Sequence, residues 1–322
     1  MLAVACVSQD NDDPLRGLEV GERAEPEVPE GWVAVTLRAA ALNHHDLWSL
    51  RGVGLPADRL PMVLGCDGAG VLDDGTEVVV HAVIGDPTAG GGDETLDPAR
   101  TLLSELHDGT LAERVAVPSR NVVPKPDGLS FEDAACLPTA YLTAHRMLTT
   151  RSGVTGPATV LVQGAGGGVA SAAILLAKAQ GHTVFCTSRD PEKRRRAIEL
   201  GADDALETGA RLPAKCDLVI ETVGEATWSH SVKSLKPGGT LVVSGATTGF
   251  GPPAELNRMF FLQLSVVGST MGTRDELGRL VRFCIETGVR PVISATHALS
   301  DARAGFEAML AGELFGKVVF TV

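Results

Sequence analysis

Apolar and polar residues follow one pattern before about residue 120 and another after it. In the first part short alternating runs are broken often by Gly and Pro, and residues 32–40 and 76–82 carry the period-two pattern of half-buried strands. The opening run, 1–9, is apolar but short. Asp10, Asp12 and Asp13 follow at once, so it reads as a first strand rather than a leader segment. Residues 85–92, GDPTAGGG, have the composition of a loop.

From about residue 122, strand-length apolar runs alternate with helical stretches. Residues 129–147 read as largely helical, starting at Ser130, with Glu132 and Asp133 in the first turn where the helix dipole favours acids. Strands are expected at 158–163, 183–187, 218–221, 240–244 and 264–268. Helices are expected at 169–180, closed by Gly181, and at 191–200, opened by Pro191. A helix over 275–287, another after Ser300 and a strand over 317–322 complete the chain. This alternation predicts an α/β fold with a doubly wound parallel sheet.

Length and charge narrow the picture. A chain of 322 residues suggests about two domains. A net charge of −12 repels phosphate backbones, so no nucleic-acid partner is expected. No apolar run reaches the roughly 18 residues that cross a bilayer, so no membrane association is expected either. Cys6, Cys66, Cys136, Cys186, Cys216 and Cys284 are scattered without a CxxC pair, which suits a reduced, cytoplasmic protein. Cys186 and Cys216 read as core residues beside strands, and His81 and His107 as loop or surface residues.

The strongest chemical signal is VLVQGAGGGVASAAILLAKAQG at 160–181. An apolar strand runs through Gly164, Ala165, Gly166, Gly167, Gly168 and Val169 into a helix. Glycines let the backbone turn sharply and approach a pyrophosphate, which the helix N-terminus then receives. The context is that of a Rossmann dinucleotide loop. At the end of the next strand, an NAD enzyme places a carboxylate for the ribose 2′-hydroxyl. Here stand Thr187, Ser188 and Arg189, with Lys193 four residues beyond, while Asp190 reads as a cap for the next helix. Hydroxyls and a guanidinium accept a 2′-phosphate, so NADPH is the expected cofactor. For Arg194 and Arg195 a plain solvated helix face stands as the alternative.

Ten stretches in order resemble one family: AALNHHDLWSLRG (40–52), PMVLGCDGAGV (61–71), DGTLAERVAVP (108–118), KPDGLSFEDAA (125–135), LPTAYLTAHRML (137–148), the glycine loop, ELGADDAL (199–206), LKPGGTLVVSGATTG (235–249), LSVVGSTMGTR (264–274) and FGKVVF (315–320). Together they resemble the medium-chain dehydrogenase/reductase family, in the zinc-free quinone oxidoreductase-like branch of the zinc-type alcohol dehydrogenase group. The resemblance implies a GroES-like β-rich catalytic domain over 1–125, completed by 272–322, a Rossmann domain over 126–271, and an active site in the cleft between them. It also implies two trimmed loops, between Val71 and Gly75 and between Asp204 and Asp217, and a homodimer formed by strand pairing around residues 256–271.

Zinc-type members of the family carry a Cys in the first motif, a His followed by Glu in the second and a third ligand before the cofactor domain. Here the first position is Asn43, the second is Cys66 followed by Asp67, and the third falls near Ala135. No metal is therefore expected, with an improvised site from Cys66, Cys136 and a histidine as the alternative. No cysteine lies between His81 and Leu111, where the structural zinc lobe would fall.

The resemblance implies roles as well. Asn43 would face the substrate carbonyl, with Asp46 beside it as a catalytic residue or as a helix cap, and Arg51 structural. Thr139 and Thr143 would approach the nicotinamide and its phosphates. Gly245, Ala246 and Thr247 would pass beneath the nicotinamide-side ribose, and Val267, Gly268 and Ser269 would line the carboxamide. The lone Tyr141 has no lysine four residues on, so a YxxxK relay is absent. The proton would come from solvent, with His44 and His45 as the other sources. The expected activity is NADPH-dependent hydride transfer to a quinone or α,β-unsaturated carbonyl. A zinc-free alcohol or aldehyde dehydrogenase and a non-catalytic NADPH-binding protein are the alternatives.

Overall fold

The computed structural model describes all 322 residues, which divide into two compact units, Met1–Leu142 with Met271–Val322, and Thr143–Thr270.

The unit Thr143–Thr270 is built on six parallel strands: β1 (Thr159–Val162), β2 (Thr183–Thr187), β3 (Asp204–Leu206), β4 (Cys216–Glu221), β5 (Leu235–Val243) and β6 (Ser265–Gly268). Their spatial order is β3-β2-β1-β4-β5-β6, the doubly wound Rossmann order, with its switch point between β1 and β4. Leu161, Phe185, Val219 and Leu241 form the core of this sheet, with Cys216 among them, and Cys186 is buried in β2. Helix α1 (Gly168–Ala179) follows β1, and its buried Ala170, Ala172 and Ala173 allow close packing. Helix α2 (Pro191–Glu199) starts where Asp190 accepts hydrogen bonds from the amides of Glu192 and Lys193, so Asp190 is the cap it was expected to be. A helix over Glu225–Ser234, which the periodicity did not predict, follows Gly224 at φ 93°. In the segment expected to pair as a strand, only Ser265–Gly268 is extended, while Leu256–Leu262 is helical.

The other unit holds a seven-stranded sheet, ordered Val122–Pro124, Glu77–Val80, Asp67–Leu72, Trp32–Ala41, Lys317–Thr321 and Ile293–Ala298, with Arg114–Pro118 also pairing to Trp32–Ala41. Register places Ala41 opposite both Asp67 and Val319. Segments far apart in sequence therefore meet at one end of the long central strand. Leu42, Leu64, Phe306 and Phe320 are buried around that end, and the two Phe rings stack with centroids 6.4 Å apart.

Residues read as one helix from Ser130 onward are three pieces: Phe131–Ala135, capped by Ser130, a π-helical turn at Leu137–Tyr141, and Leu142–Leu148. Pro138 has no amide to donate, and the ladder widens there. His81 corrects the surface reading. It is fully buried after the strand Glu77–Val80, with Nε2 2.9 Å from the Gly272 carbonyl and Nδ1 4.0 Å from Glu94 Oε1. His107 is half-buried against the Trp32 ring. No helix is long and apolar enough to cross a membrane.

Candidate functional site

In the unit Thr143–Thr270, the predicted cofactor residues lie at the carboxyl ends of β1, β2, β5 and β6 and on the first turns of α1 and α2, except Thr143, which is in the helix Leu142–Leu148. Gly164 (φ 74°) and Gly166 (φ 125°) make turns that side chains resist. A Cβ on Gly164 would stand 2.6 Å from Val223 Cγ2, and one on Gly166 would stand 2.8 Å from Lys193 Cδ. The Ala165 amide donates to Thr187 O at 2.7 Å, tying the loop to β2. Nothing lies within 4 Å of the place a Cβ on Gly167 would take. No side chain caps α1 at its start, so Gly168 and Val169 present amides to an incoming anion.

A polar network under this loop was not foreseen. Gln163 accepts from the Thr187 hydroxyl at 2.5 Å and donates to the Ser231 hydroxyl at 2.9 Å. Ser231 in turn donates to Glu221, which also accepts from the Val223 and Gly224 amides and from Thr227. A carboxylate closing the apolar run DLVIE was its visible signal.

At the end of β2, Ser188 is buried and its hydroxyl accepts from the Asp190 amide at 3.2 Å. Arg189 is exposed, while Lys193 is half-buried and lies across Gly166. Two further arginines separate by role. Arg194 folds back to donate to the carbonyls of Ser188 (2.7 Å) and Arg189 (3.3 Å), whereas Arg195 pairs on the surface with Glu192 and Glu199.

Gly245, Ala246 and Thr247 form the loop after β5, and a Cβ on Gly245 would meet Thr222 O at 3.1 Å. Val267 and Gly268 end β6, where Arg151 Nε donates to Gly268 O at 2.9 Å. The Ser269 amide donates to Val243 O, but its hydroxyl is buried with no partner. Thr143 is buried. In the other unit, the Thr139 hydroxyl in the π turn is likewise buried and unpartnered. Such orphans cost free energy unless a ligand satisfies them. Ser269 belongs to the expected cofactor contacts, and with the glycine loop it makes the residues of Thr143–Thr270 fit a nicotinamide dinucleotide.

The second cluster lies in the β-rich unit. Asn43 precedes the helix His44–Leu50 and is 7% exposed. Asp46 is fully buried; its Oδ2 accepts from the Asn43 amide (2.8 Å) and its Oδ1 from the Gly65 amide (2.9 Å). Burial holds its carboxyl above the usual range. Of the two roles left open for Asp46, this geometry is that of a cap. Arg51 stacks over Trp48 at 5.2 Å.

Lys317, which the sequence reading left without a role, reaches this cluster from its own strand. Its Nζ donates to Leu42 O (2.7 Å), Asn43 Oδ1 (2.6 Å) and Asp67 Oδ2 (2.9 Å). His44 is open to solvent but set low among protein atoms, and that crowding, with the charges of Arg51 and Lys317, lowers its pKa. His45 Nε2 is 3.9 Å from Glu105 Oε1. Tyr141 is buried, and its hydroxyl accepts from the Val292 amide at 2.8 Å.

The donor set does not fit zinc. No group of three His, Cys, Asp or Glu side chains converges in a ligand geometry. Cys66 donates to Leu103 O at 3.2 Å, and burial, with the charge of Asp46, pushes its thiol well above the ordinary value. The Asn43 carbonyl already faces an ammonium. Cys136 is buried too, and desolvation raises its thiol as well.

Residues 29–127 match the family model described as an alcohol dehydrogenase GroES-like domain, and residues 168–286 match that of a zinc-binding dehydrogenase. A solved NAD-dependent alcohol dehydrogenase is similar at 34% identity and a TM-score of 0.90, with both chains covered in full. An alcohol dehydrogenase of Geobacillus stearothermophilus is 29% identical over 95% of this chain and 96% of its own. An acryloyl-coenzyme A reductase of Metallosphaera sedula is 29% identical over 95% of this chain and 97% of its own.

Proposed function

The chain belongs to the medium-chain dehydrogenase/reductase family, among its zinc-type alcohol dehydrogenase-like oxidoreductases, and from that premise we propose that it is an NADPH-dependent reductase of α,β-unsaturated carbonyls or quinones that works without a metal. One observation carries this reading. Where zinc-type members place ligands, this chain has an amide whose oxygen is bonded to an ammonium and a buried thiol that donates to the Leu103 carbonyl. Without a Lewis acid, deprotonating a plain alcohol is hard, whereas a conjugated carbonyl needs only hydrogen-bond donors at its oxygen.

NADPH, when bound, supplies a hydride from nicotinamide C4 to the β-carbon of the substrate. The Gly166, Gly167 and Gly168 amides at the start of α1 would hold the pyrophosphate, Gly164 and Ala165 shaping the turn with their own amides bonded to Thr187, and Ser188, Arg189 and Lys193 would hold the 2′-phosphate. The solved relative is described as NAD-dependent, but no carboxylate is free at the end of β2 here, since Asp190 is committed to α2. Thr143, Gly245, Ala246, Thr247, Val267 and Ser269 would complete the contacts from this unit. Asn43 Nδ2 donates to the substrate carbonyl oxygen as the carbon–carbon double-bond pair shifts toward it. Asp46 has both oxygens engaged and is not the proton donor; on this reading the α-carbon takes its proton from solvent.

The acryloyl-coenzyme A reductase relative favours enoyl thioesters within this substrate class. A homodimer fits the exposed Leu256, Phe260, Phe261 and Val266 beside the edge strand β6. Six free, buried cysteines suit the cytoplasm.

The test is NADPH and NADH oxidation with crotonyl and acryloyl thioesters, enones and quinones, on protein whose metal content has been measured. Turnover with NADPH that survives chelation supports the proposal. Activity confined to alcohols and dependent on zinc would overturn it.

A further inference from the structure

Lys317 and Asp67 are two opposite charges buried almost completely, at 3% and 0% exposure. A buried ion pair is weak evidence for stability, because desolvation offsets its attraction. What this pair achieves is orientation. An ammonium has three donors and no acceptor. All three are committed, to Leu42 O, Asn43 Oδ1 and Asp67 Oδ2. The Asn43 side chain must therefore turn its oxygen to Lys317 and its nitrogen away.

That nitrogen carries two N–H groups. One makes a long contact of 3.4 Å to Ala41 O, and the other has no protein acceptor. The cation on the oxygen draws charge from the amide and strengthens the remaining donor. Asp67 fixes the cation in turn, through the register that sets Ala41 opposite Asp67 and Val319.

We propose that Lys317 is the positioning residue of this site. It locks and polarises Asn43 so that one amide N–H serves the substrate oxygen, a fixed organic cation in the role a metal plays in zinc-type relatives. The inference rests on the reading of Asn43 as the carbonyl donor and adds what aims it. Asp67 is the counter-ion that allows the charge to be buried.

The experiment is a double-mutant cycle on the full chain. Lys317→Met is combined with Asp67→Asn so that no lone charge is buried. This pair is made alone and with Asn43→Ala, and Lys317→Arg serves as the conservative variant. NADPH affinity is read by fluorescence titration, and kcat and KM with a crotonyl thioester. The neutralised pair is expected to keep its NADPH affinity and lose about 10²-fold in kcat, the usual cost of one oxyanion donor. Adding it to Asn43→Ala is expected to cost nothing further, because Lys317 acts through Asn43. Lys317→Arg is expected to recover part of the loss.

Losses that multiply in the triple variant, or an unchanged kcat in the neutralised pair, would overturn the inference and leave the reductase reading standing. A wild-type protein that binds NADPH but reduces none of the carbonyls or quinones would overturn both.

Discussion

Lys193 lies across Gly166, with its Cδ 2.8 Å from where a Cβ on that glycine would sit. A basic residue predicted for the 2′-phosphate is thus packed on the loop predicted for the pyrophosphate. Gly166→Ala should displace the Lys193 stem and strain a backbone held at φ 125°. We expect about 1–2 kcal/mol of lost stability and about tenfold weaker NADPH binding, read by thermal denaturation and fluorescence titration. Unchanged affinity would remove this loop from the cofactor site.

The arginines after β2 make contrasting predictions. Arg189→Ala should lower the preference for NADPH over NADH by about tenfold, as expected for one charge-assisted contact to phosphate. Arg195→Ala should not move it, because that guanidinium is tied to Glu192 and Glu199. Ratios of kcat/KM for the two cofactors decide the matter, and equal effects would sink the assignment of Arg189.

Asp46→Ala should unfold the protein more readily without being a chemical lesion in itself. Two buried amides, those of Asn43 and Gly65, lose their acceptor, at about 1–3 kcal/mol each. Chemical denaturation should show a loss of about 2–6 kcal/mol, with Asp46→Asn milder. A stable Asp46→Ala protein devoid of turnover would instead restore Asp46 as a catalytic residue.

His81 should give the fold a pH dependence. Burial lowers its pKa below the ordinary 6.5, offset in part by the Gly272 carbonyl and Glu94, while Arg120 and Arg274 also lower it. The folded state therefore takes up this proton less readily than the unfolded chain. Stability should rise with pH through the window below 6.5 and be lost as pH falls through it. His81→Gln, whose amide can still donate to Gly272 O, should flatten urea-derived stability between 6.5 and about pH 5. An unaltered slope would count against the buried neutral imidazole.

Local signals foretold the cofactor unit well. The strand Thr183–Thr187 lies where it was expected, bounded by Gly181 and by the Asp190–Pro191 start of α2. The glycine loop, Ser130 and Asp190 carry their physics in a few adjacent residues. Contacts between distant segments were not legible. Lys317 stood in view in FGKVVF, yet only pairing across about 250 positions brings it to Asp67. His81 was misread because its ring partner, the Gly272 carbonyl, is 191 residues away. The π turn at Leu137–Tyr141 is intermediate: Pro138 was visible, but helical periodicity on either side concealed the break.

Lys317 comes later in the chain than the whole of Thr143–Thr270, while Asn43 and Asp67 come before it. As the polypeptide leaves the ribosome, the Rossmann unit is complete before the amide donor gains its cation. On the proposed reading, the half-made molecule therefore has its dinucleotide loop before its carbonyl donor is aimed.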